Sequence, residues 1–324
     1  MQKASKLYII GNGFDIMHGM KTKYQDFYNW LLISGRLYVI EELQSVYSVE
    51  EDGEFLLWSN FEDALGKYDI NVASEWSFEN LNIAEISIGN QKVSYPPLFL
   101  ETQLDDIVND VFTKWVGQIP LSIERKLELP QDALYFTFNY TDTLEKLYNI
   151  SQNSVLHIHG RLNNGDHLII GHNNYREPLD FLDDCITFRE NNERIQRIVN
   201  MNNLCKPIVE NLNLHKAFFD AMATVEYVEI IGHSCAEIDY PYFKRIRESV
   251  ADDAKWVFNP YSTDDTKRVN ELIGYLQLKG NIFVKQSTCR ENDIIKDCLT
   301  INQIRKSDKS YIGLFYWYNT PLKY

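Results

Sequence analysis

LYIIGNGFDIMHGMKTKY, residues 7–24, opens with the apolar run Leu7, Tyr8, Ile9, Ile10 and breaks at Gly11-Asn12-Gly13. A short apolar run of this kind reads as a buried strand, and the glycine turn beyond it reads as the passage into a helix. Glycines admit positive φ and let a ligand come close to the backbone, while a helix start offers unpaired N–H groups to an anion. Gly19 falls six residues after Gly13, so the spacing is not GxGxxG. Asp15 suits a helix N-cap and the hydroxyls of a ribose, and it opposes a phosphate. His18 either lines the same pocket or is satisfied locally.

The same logic carries to ALYFTFNYTDTLEKLY, residues 133–148, and to VLHIHG, residues 155–160. The first predicts a strand that ends at Asn139, with Thr141 or Asp142 capping the helix that follows. The second predicts a strand with His157 and His159 on one face, His159 at its end and His157 deeper, in a supporting place. Ligands of open α/β sheets gather beyond the carboxyl ends of the strands. There an imidazole can take a proton while an amide orients the nucleophile without competing for it. No carboxylate stands at ligand spacing from the histidines, so no metal is expected. Two more predicted strands end in small polar residues, Gly232-His233-Ser234 before Asp239, and Asn259-Pro260.

Working outward, strands are predicted at 7–10, 133–138, 155–158, 168–170, 226–231, 255–258 and 282–284, and helices at 142–150, 241–250 and 263–276. Strand followed by helix, repeated, predicts an α/β fold with a Rossmann-like parallel sheet. Two long stretches with apolar residues at helical spacing interrupt it. The expected organisation is a nucleotide-binding core at 1–24 and 133–288, helical insertions at 25–132 and 176–224, and a C-terminal segment, 289–324, packed on the core. The stripe Tyr24, Phe27, Tyr28, Trp30 reads as core. Connections this long are usually functional, which suits gating or sensing.

A hydrophobic fraction of 44% with 13% aromatics supports a packed core, and a net charge of −14 disfavours nucleic acid or an anionic membrane as the main partner. Five scattered cysteines (Cys185, Cys205, Cys235, Cys289, Cys298) contain no CxxC pair, which fits reduced thiols in the cytoplasm. MQKASKLYII carries too short an apolar run for a signal peptide, and no stretch is long enough to span a bilayer.

The order GNGFD, FTFNYTDTLE, HIHG, IIGHSCAEIDYPYF resembles the bacteriophage abortive-infection AbiH family over most of the chain. That family in turn resembles the sirtuin-like group, including its antiphage NAD-hydrolysing branch. The resemblance implies a sirtuin-like sheet with NAD as substrate and cleavage at the nicotinamide ribose. It places the glycine turn on Gly11, Asn12 and Gly13, the catalytic pair on Asn139 and His159, and the adenosine side on Gly232, Ser234 and Asn259. Asp15 stands where the sirtuin turn has a small hydroxyl residue, and Thr141 where an aspartate follows Asn-Tyr, with Asp142 one position late as the nicotinamide-side contact. The zinc-binding cysteine pairs of deacylases are missing, which argues against a deacylase. The implied protein is an antiphage effector with an unknown phage-derived trigger, able to act as a homo-oligomer. The alternatives are a non-catalytic NAD or ADP-ribose sensor, and a metal-dependent nuclease or phosphodiesterase using Asp15, His18 and His159.

Overall fold

The computed structural model describes residues 4–36, 61–67, 110–162, 165–185 and 187–285, with shorter pieces at 39–40, 43, 50–51, 54–55, 84–88, 91–95 and 298–300. Its centre is β1 (Lys6–Ile10), flanked by β2 (Leu134–Thr137) and β4 (Tyr227–Ile231). Outside these lie β3 (Val155–His157) on one side and β5 (Lys255–Phe258) and β6 (Ile282–Lys285) on the other. The order is 3-2-1-4-5-6, all parallel, with β7 (Cys298–Thr300) antiparallel on β6. Residue Ile9 is in register with both Phe136 and Ile230, so the apolar run is buried on both faces. The order reverses at β1, and a crevice is therefore expected beyond the ends of β1 and β4.

Alternation along β1 divides the core. Leu7 and Ile9 join Phe136, Val228, Trp256 and Phe258 against α4 (Tyr240–Ser249) and α5 (Thr263–Tyr275). Tyr8 and Ile10 face the other way, with Tyr135, onto Phe14 of α1 (Asn12–Met17), Leu144 and Tyr148. A further apolar cluster gathers Phe27 and Leu31 of α2 (Tyr24–Ile33), Phe61, Phe112 and Trp115, together with Ile198 and Met201 of α3 (Phe188–Asn202). Pieces of both expected insertions thus share one core. Phe27 is buried and Tyr24, Tyr28 and Trp30 are partly buried against it, as the aromatic stripe predicted.

The local differences from expectation have physical causes. Residues 168–170 form no strand: Ile169 N–H donates to His159 O at 2.9 Å, while Leu168 and Ile170 are buried in the insertion cluster. The helix expected at 142–150 is one wide turn, Thr143–Leu147, ended by Asn149 at φ 58°. Asp142 precedes that turn without a side-chain cap bond. Helix α5 starts at Thr263 as expected, with Ser262 as its N-cap, and Ser262 and Asp265 bond reciprocally at 3.0 and 3.1 Å in a capping box. Two antiparallel strand pairs, Glu50–Glu51 with Glu54–Phe55 and Ala84–Ile88 with Gln91–Tyr95, lie inside 25–132, which is therefore not helical throughout. The aromatic stretch 311–322 lies outside the described residues. Cys185, Cys205 and Cys235 are free thiols. No helix among the described residues is long and apolar enough to cross a membrane.

Candidate functional site

The glycines of the first turn interlock β1 with β4. Gly11 N–H donates to Ile231 O at 3.0 Å and Gly13 N–H to Gly232 O at 2.7 Å. A Cβ on Gly11 would stand 2.6 Å from His233 Cα, and one on Gly232, at φ +66°, would stand 2.2 Å from Phe14 N. The backbone approach that the glycines permit is made first by the protein's own chain. Two of the turn's donors are spent in making it.

Asp15 is not an N-cap. Gly11 holds that place with no side-chain bond, and Asp15 turns inward, 1% exposed. Thr141 Oγ1 donates to its Oδ2 at 2.6 Å and Thr143 Oγ1 to its Oδ1 at 2.8 Å. Burial pushes its carboxyl up, against the two threonine bonds. Thr141 thus has a structural partner inside the chain. His18 is satisfied locally, with Nδ1 2.6 Å from Phe14 O and Nε2 2.7 Å from Tyr148 OH.

A cleft of about 2530 Å³ opens at the carboxyl ends of the strands, well above the roughly 300–1,000 Å³ of a small-molecule pocket. Its walls include Asn12, Gly13 and Asp15 on one side and Gly232, Ser234 and Asn259 on another. Asn12 Nδ2 donates to Thr22 O at 2.8 Å, and Asn259 Nδ2 to Ile230 O at 2.7 Å, so both amides also brace their turns. Ser234 is exposed, and its carbonyl accepts from Arg268 Nε at 3.0 Å. Gly11 and Asp142 do not reach the cleft wall.

Asn139 and His159 do reach it, from the ends of β2 and β3. Asn139 Nδ2 donates to Gly11 O at 3.1 Å, which fixes the amide and leaves Oδ1 buried without a hydrogen-bond partner among the described residues. His159 Nε2 is likewise buried and unpartnered. Its ring packs edge-on to Phe138 and Tyr242, with centroids 5.4 and 5.6 Å away. Burial first, then Lys206, drives this histidine well below its ordinary value, so it is neutral and a weak base.

A model of the bacteriophage abortive infection AbiH family matches residues 7–260. The chain belongs to that family. An antiphage abortive-infection role is what the membership suggests. No curated protein and no solved structure matches the chain.

Beside the His233 and Asp239 of the sequence motif, the AbiH chain places two charged residues that no motif marked: Glu62 on the cleft wall, and Lys206, which does not line the cleft but contacts both carboxylates. Lys206, with a fully buried side chain, lies 3.1 Å from Glu62 Oε1 and 3.8 Å from Asp239 Oδ1. His233 Nδ1 accepts from Cys235 N–H at 2.9 Å, so Nε2 carries the ring proton and faces Asp239 Oδ2 at 3.4 Å. Burial pushes the Asp239 carboxyl up, but Lys206 and His233 outweigh it and bring it to about 2. Burial pushes Glu62 up, against Lys206. Glu62 and Lys206 come from the inserted stretches, and neither belongs to a periodic pattern. Lys206 is set by its backbone: its N–H donates to His172 O at 2.7 Å, and Gly171 makes room for Leu204 O, 1.9 Å from where a Cβ would stand.

Asp142 lies in a different cluster of this AbiH chain, 2.9 Å from Lys146 Nζ and 3.6 Å from Arg161 Nε. His157 belongs there too, with Nδ1 2.8 Å from Asn139 O and Nε2 2.9 Å from Glu145 Oε1. The two histidines do not share a face: β3 stops at His157, and a turn at 158–159 swings His159 toward Phe138. Among the described residues, no three His, Cys, Asp or Glu side chains converge as metal ligands would. The nuclease alternative, with Asp15 and His18 both engaged elsewhere, gains no observation.

Proposed function

We propose that this AbiH protein is a cytoplasmic antiphage effector that binds NAD across the cleft and hydrolyses it at the nicotinamide–ribose bond. The observation that carries the reading is the pair of buried, unpartnered atoms Asn139 Oδ1 and His159 Nε2 at adjacent strand ends. Buried polar atoms are normally bonded, so a pair left open beside a cleft is a place for ligand groups. The strand order 3-2-1-4-5-6 is that of doubly wound dinucleotide-binding sheets, which supports a Rossmann-like, sirtuin-like assignment. In this reading the nicotinamide ribose lies at Asn139 and His159, and the adenosine toward Gly232, Ser234 and Asn259. Asn12 and Gly13 border the pyrophosphate.

The reaction needs little from a base. As the C1′–N1 bond breaks, its electron pair leaves with the nicotinamide nitrogen, and C1′ gains oxocarbenium character. Water adds to C1′ and gives up one proton, so NAD and water become ADP-ribose, nicotinamide and a proton. An electrophile this strong is met by a positioned water, and the protein's contribution is orientation and shielding. Asn139 Oδ1 accepts from a ribose hydroxyl or the water. Neutral His159 takes the proton late and releases it to solvent. The inserted stretches are the part to gate the cleft in response to a phage-derived trigger.

One observation favours a second reading, a sensor that binds NAD or ADP-ribose without turnover: the depressed basicity of His159. Nicotinamide release separates the two. Wild-type protein, assayed with phage lysate or at high concentration, is expected to release nicotinamide from NAD. Binding of NAD with no release under either condition overturns hydrolysis and leaves the sensor.

A further inference from the structure

Three of the open polar atoms along the cleft share one chemical character. Asn139 Oδ1 and Asp239 Oδ1 are acceptors, and His159 Nε2 is an imidazole nitrogen; each is buried and without a hydrogen-bond partner among the described residues. Asn139, His159 and Asp239 all line the cleft, whereas Lys206 does not. Around the Phe138 ring stand His159, at 5.4 Å between centroids, and His233, at 4.3 Å, and His233 in turn faces Asp239 at 3.4 Å. The second oxygen of Asp239 is thus held by the His233 N–H, which leaves Oδ1 for something else. Taking charges out of water costs several kcal/mol each, on the order that a pair of buried ions rarely recovers. A buried carboxylate with an open oxygen, on a residue that lines the cleft, is therefore an expensive thing to keep as mere scaffolding.

A phosphate or a carbonyl brings only acceptors and would leave these atoms unsatisfied. A sugar brings hydroxyls, and a hydroxyl donates. We propose that Asp239 Oδ1 and Asn139 Oδ1 form a seat for the vicinal hydroxyls of a ribose, making Asp239 the residue that selects ribosyl nucleotides over their deoxy counterparts. The seat rests on the nucleotide reading of the cleft, and it adds a residue and a substrate class to that reading. Lys206, which does not line the cleft, supports it as a positioning residue, 3.8 Å from Asp239 Oδ1. The geometry also fits a single ordered water at Asp239, and that is the outcome the experiment must separate.

The test is isothermal titration of ADP-ribose, and of ADP-ribose lacking the 2′- or the 3′-hydroxyl on the terminal ribose, into full-length wild type and Asp239→Asn. Removing a hydroxyl that a site was built to bond costs at least about tenfold and often far more. Wild type is expected to bind at least one deoxy analogue about 10–1,000-fold more weakly than ADP-ribose. Asp239→Asn is expected to bind ADP-ribose correspondingly weakly and to lose the discrimination. Equal binding of all three ligands by wild type overturns the seat and leaves Asp239 with a water, and this arm stands even if Asp239→Asn does not fold. A folded Asp239→Asn with wild-type affinity and discrimination overturns it as well. If wild type binds no ADP-ribose at all, the nucleotide reading itself falls, an outcome distinct from loss of discrimination.

Discussion

Two buried polar clusters flank the ends of β2 and β3, and they are built on opposite terms. On one side Asp15 takes two threonine hydroxyls, His157 has partners at both ring nitrogens, and Arg161 lies 3.1 Å from Glu145 and 3.6 Å from Asp142. On the other, Asn139, His159 and Asp239 each present an atom with no hydrogen bond among the described residues. The two histidines are two positions apart in sequence. What separates them is a strand that ends between them, not a difference in composition. The first cluster, bonded throughout its ring nitrogens and the Asp15 carboxylate and open at Glu145 Oε2, holds the turn after β2 in place. The second, with open atoms on all three of its residues and set along the cleft, is built to be completed by something else.

The comparison breaks most visibly in catalysis. His159→Ala and Asn139→Ala are each expected to lower nicotinamide release by about 10²–10⁴-fold, the usual worth of a positioned acid–base or orienting group. The weak basicity of His159 places it at the lower end of that range. Rates should be measured on variants whose circular dichroism matches wild type. A His159→Ala protein as active as wild type would remove the histidine from the chemistry.

Next in size is the charge network under the open cluster. Lys206→Met leaves Glu62 and Asp239 facing each other without their cation, and breaking a buried pair in this way costs about 3–5 kcal/mol. Urea denaturation is the check, and a loss under 1 kcal/mol would mean that the network is hydrated and loosely held. On the other side, His157→Ala removes the partner of the Asn139 carbonyl and one of the two partners of Glu145 Oε1, and is expected to cost about 1–3 kcal/mol. Its nicotinamide release per folded molecule should stay within a few-fold of wild type. A catalytic collapse at His157 equal to that at His159 would erase the distinction between the clusters.

The smallest effect is a pH dependence. Burial and then Lys206 hold His159 neutral well below its ordinary value of 6.5. The unfolded chain takes up a proton there near pH 6.5 while the folded chain does not, so the unfolded state binds more protons as the pH falls. Stability from this group is intact above about pH 6.5 and declines below it, by at most about 1.4 kcal/mol per pH unit. His159→Gln should therefore lose less stability than wild type between pH 7 and pH 5.5 in urea titrations. Identical losses would show that the ring is not kept from protonating.

Much of the sheet was legible because its strands are short apolar runs buried on both faces, as at 7–10 and 255–258, where sequence alone carries the signal. Residues 168–170 have the same composition but bury their side chains among inserted pieces, and composition does not say which neighbour a segment will meet. Gly11, Gly13, Asn139 and His159 were legible as a strand-end group. That the glycines serve a backbone interlock with Gly232 was not, since the partner is about 220 residues away. Asp15 was legible as an oddity, and its threonine partners explain it. Glu62 and Lys206 were invisible because nothing local requires a charge at either position; only the fold brings them to Asp239.

The central claim is that the cluster of Asn139, His159 and Asp239, and not that of Asp15, His157 and Glu145, receives the ligand. A crystal structure of the protein with ADP-ribose tests it most directly. The account predicts the terminal ribose within hydrogen-bond distance of Asn139 Oδ1 and Asp239 Oδ1, with His159 beside C1′ and no ligand atom on His157 or Glu145. A ribose seated against Asp15, His157 and Glu145, or a nucleotide bound with Asn139 and His159 untouched, would contradict it.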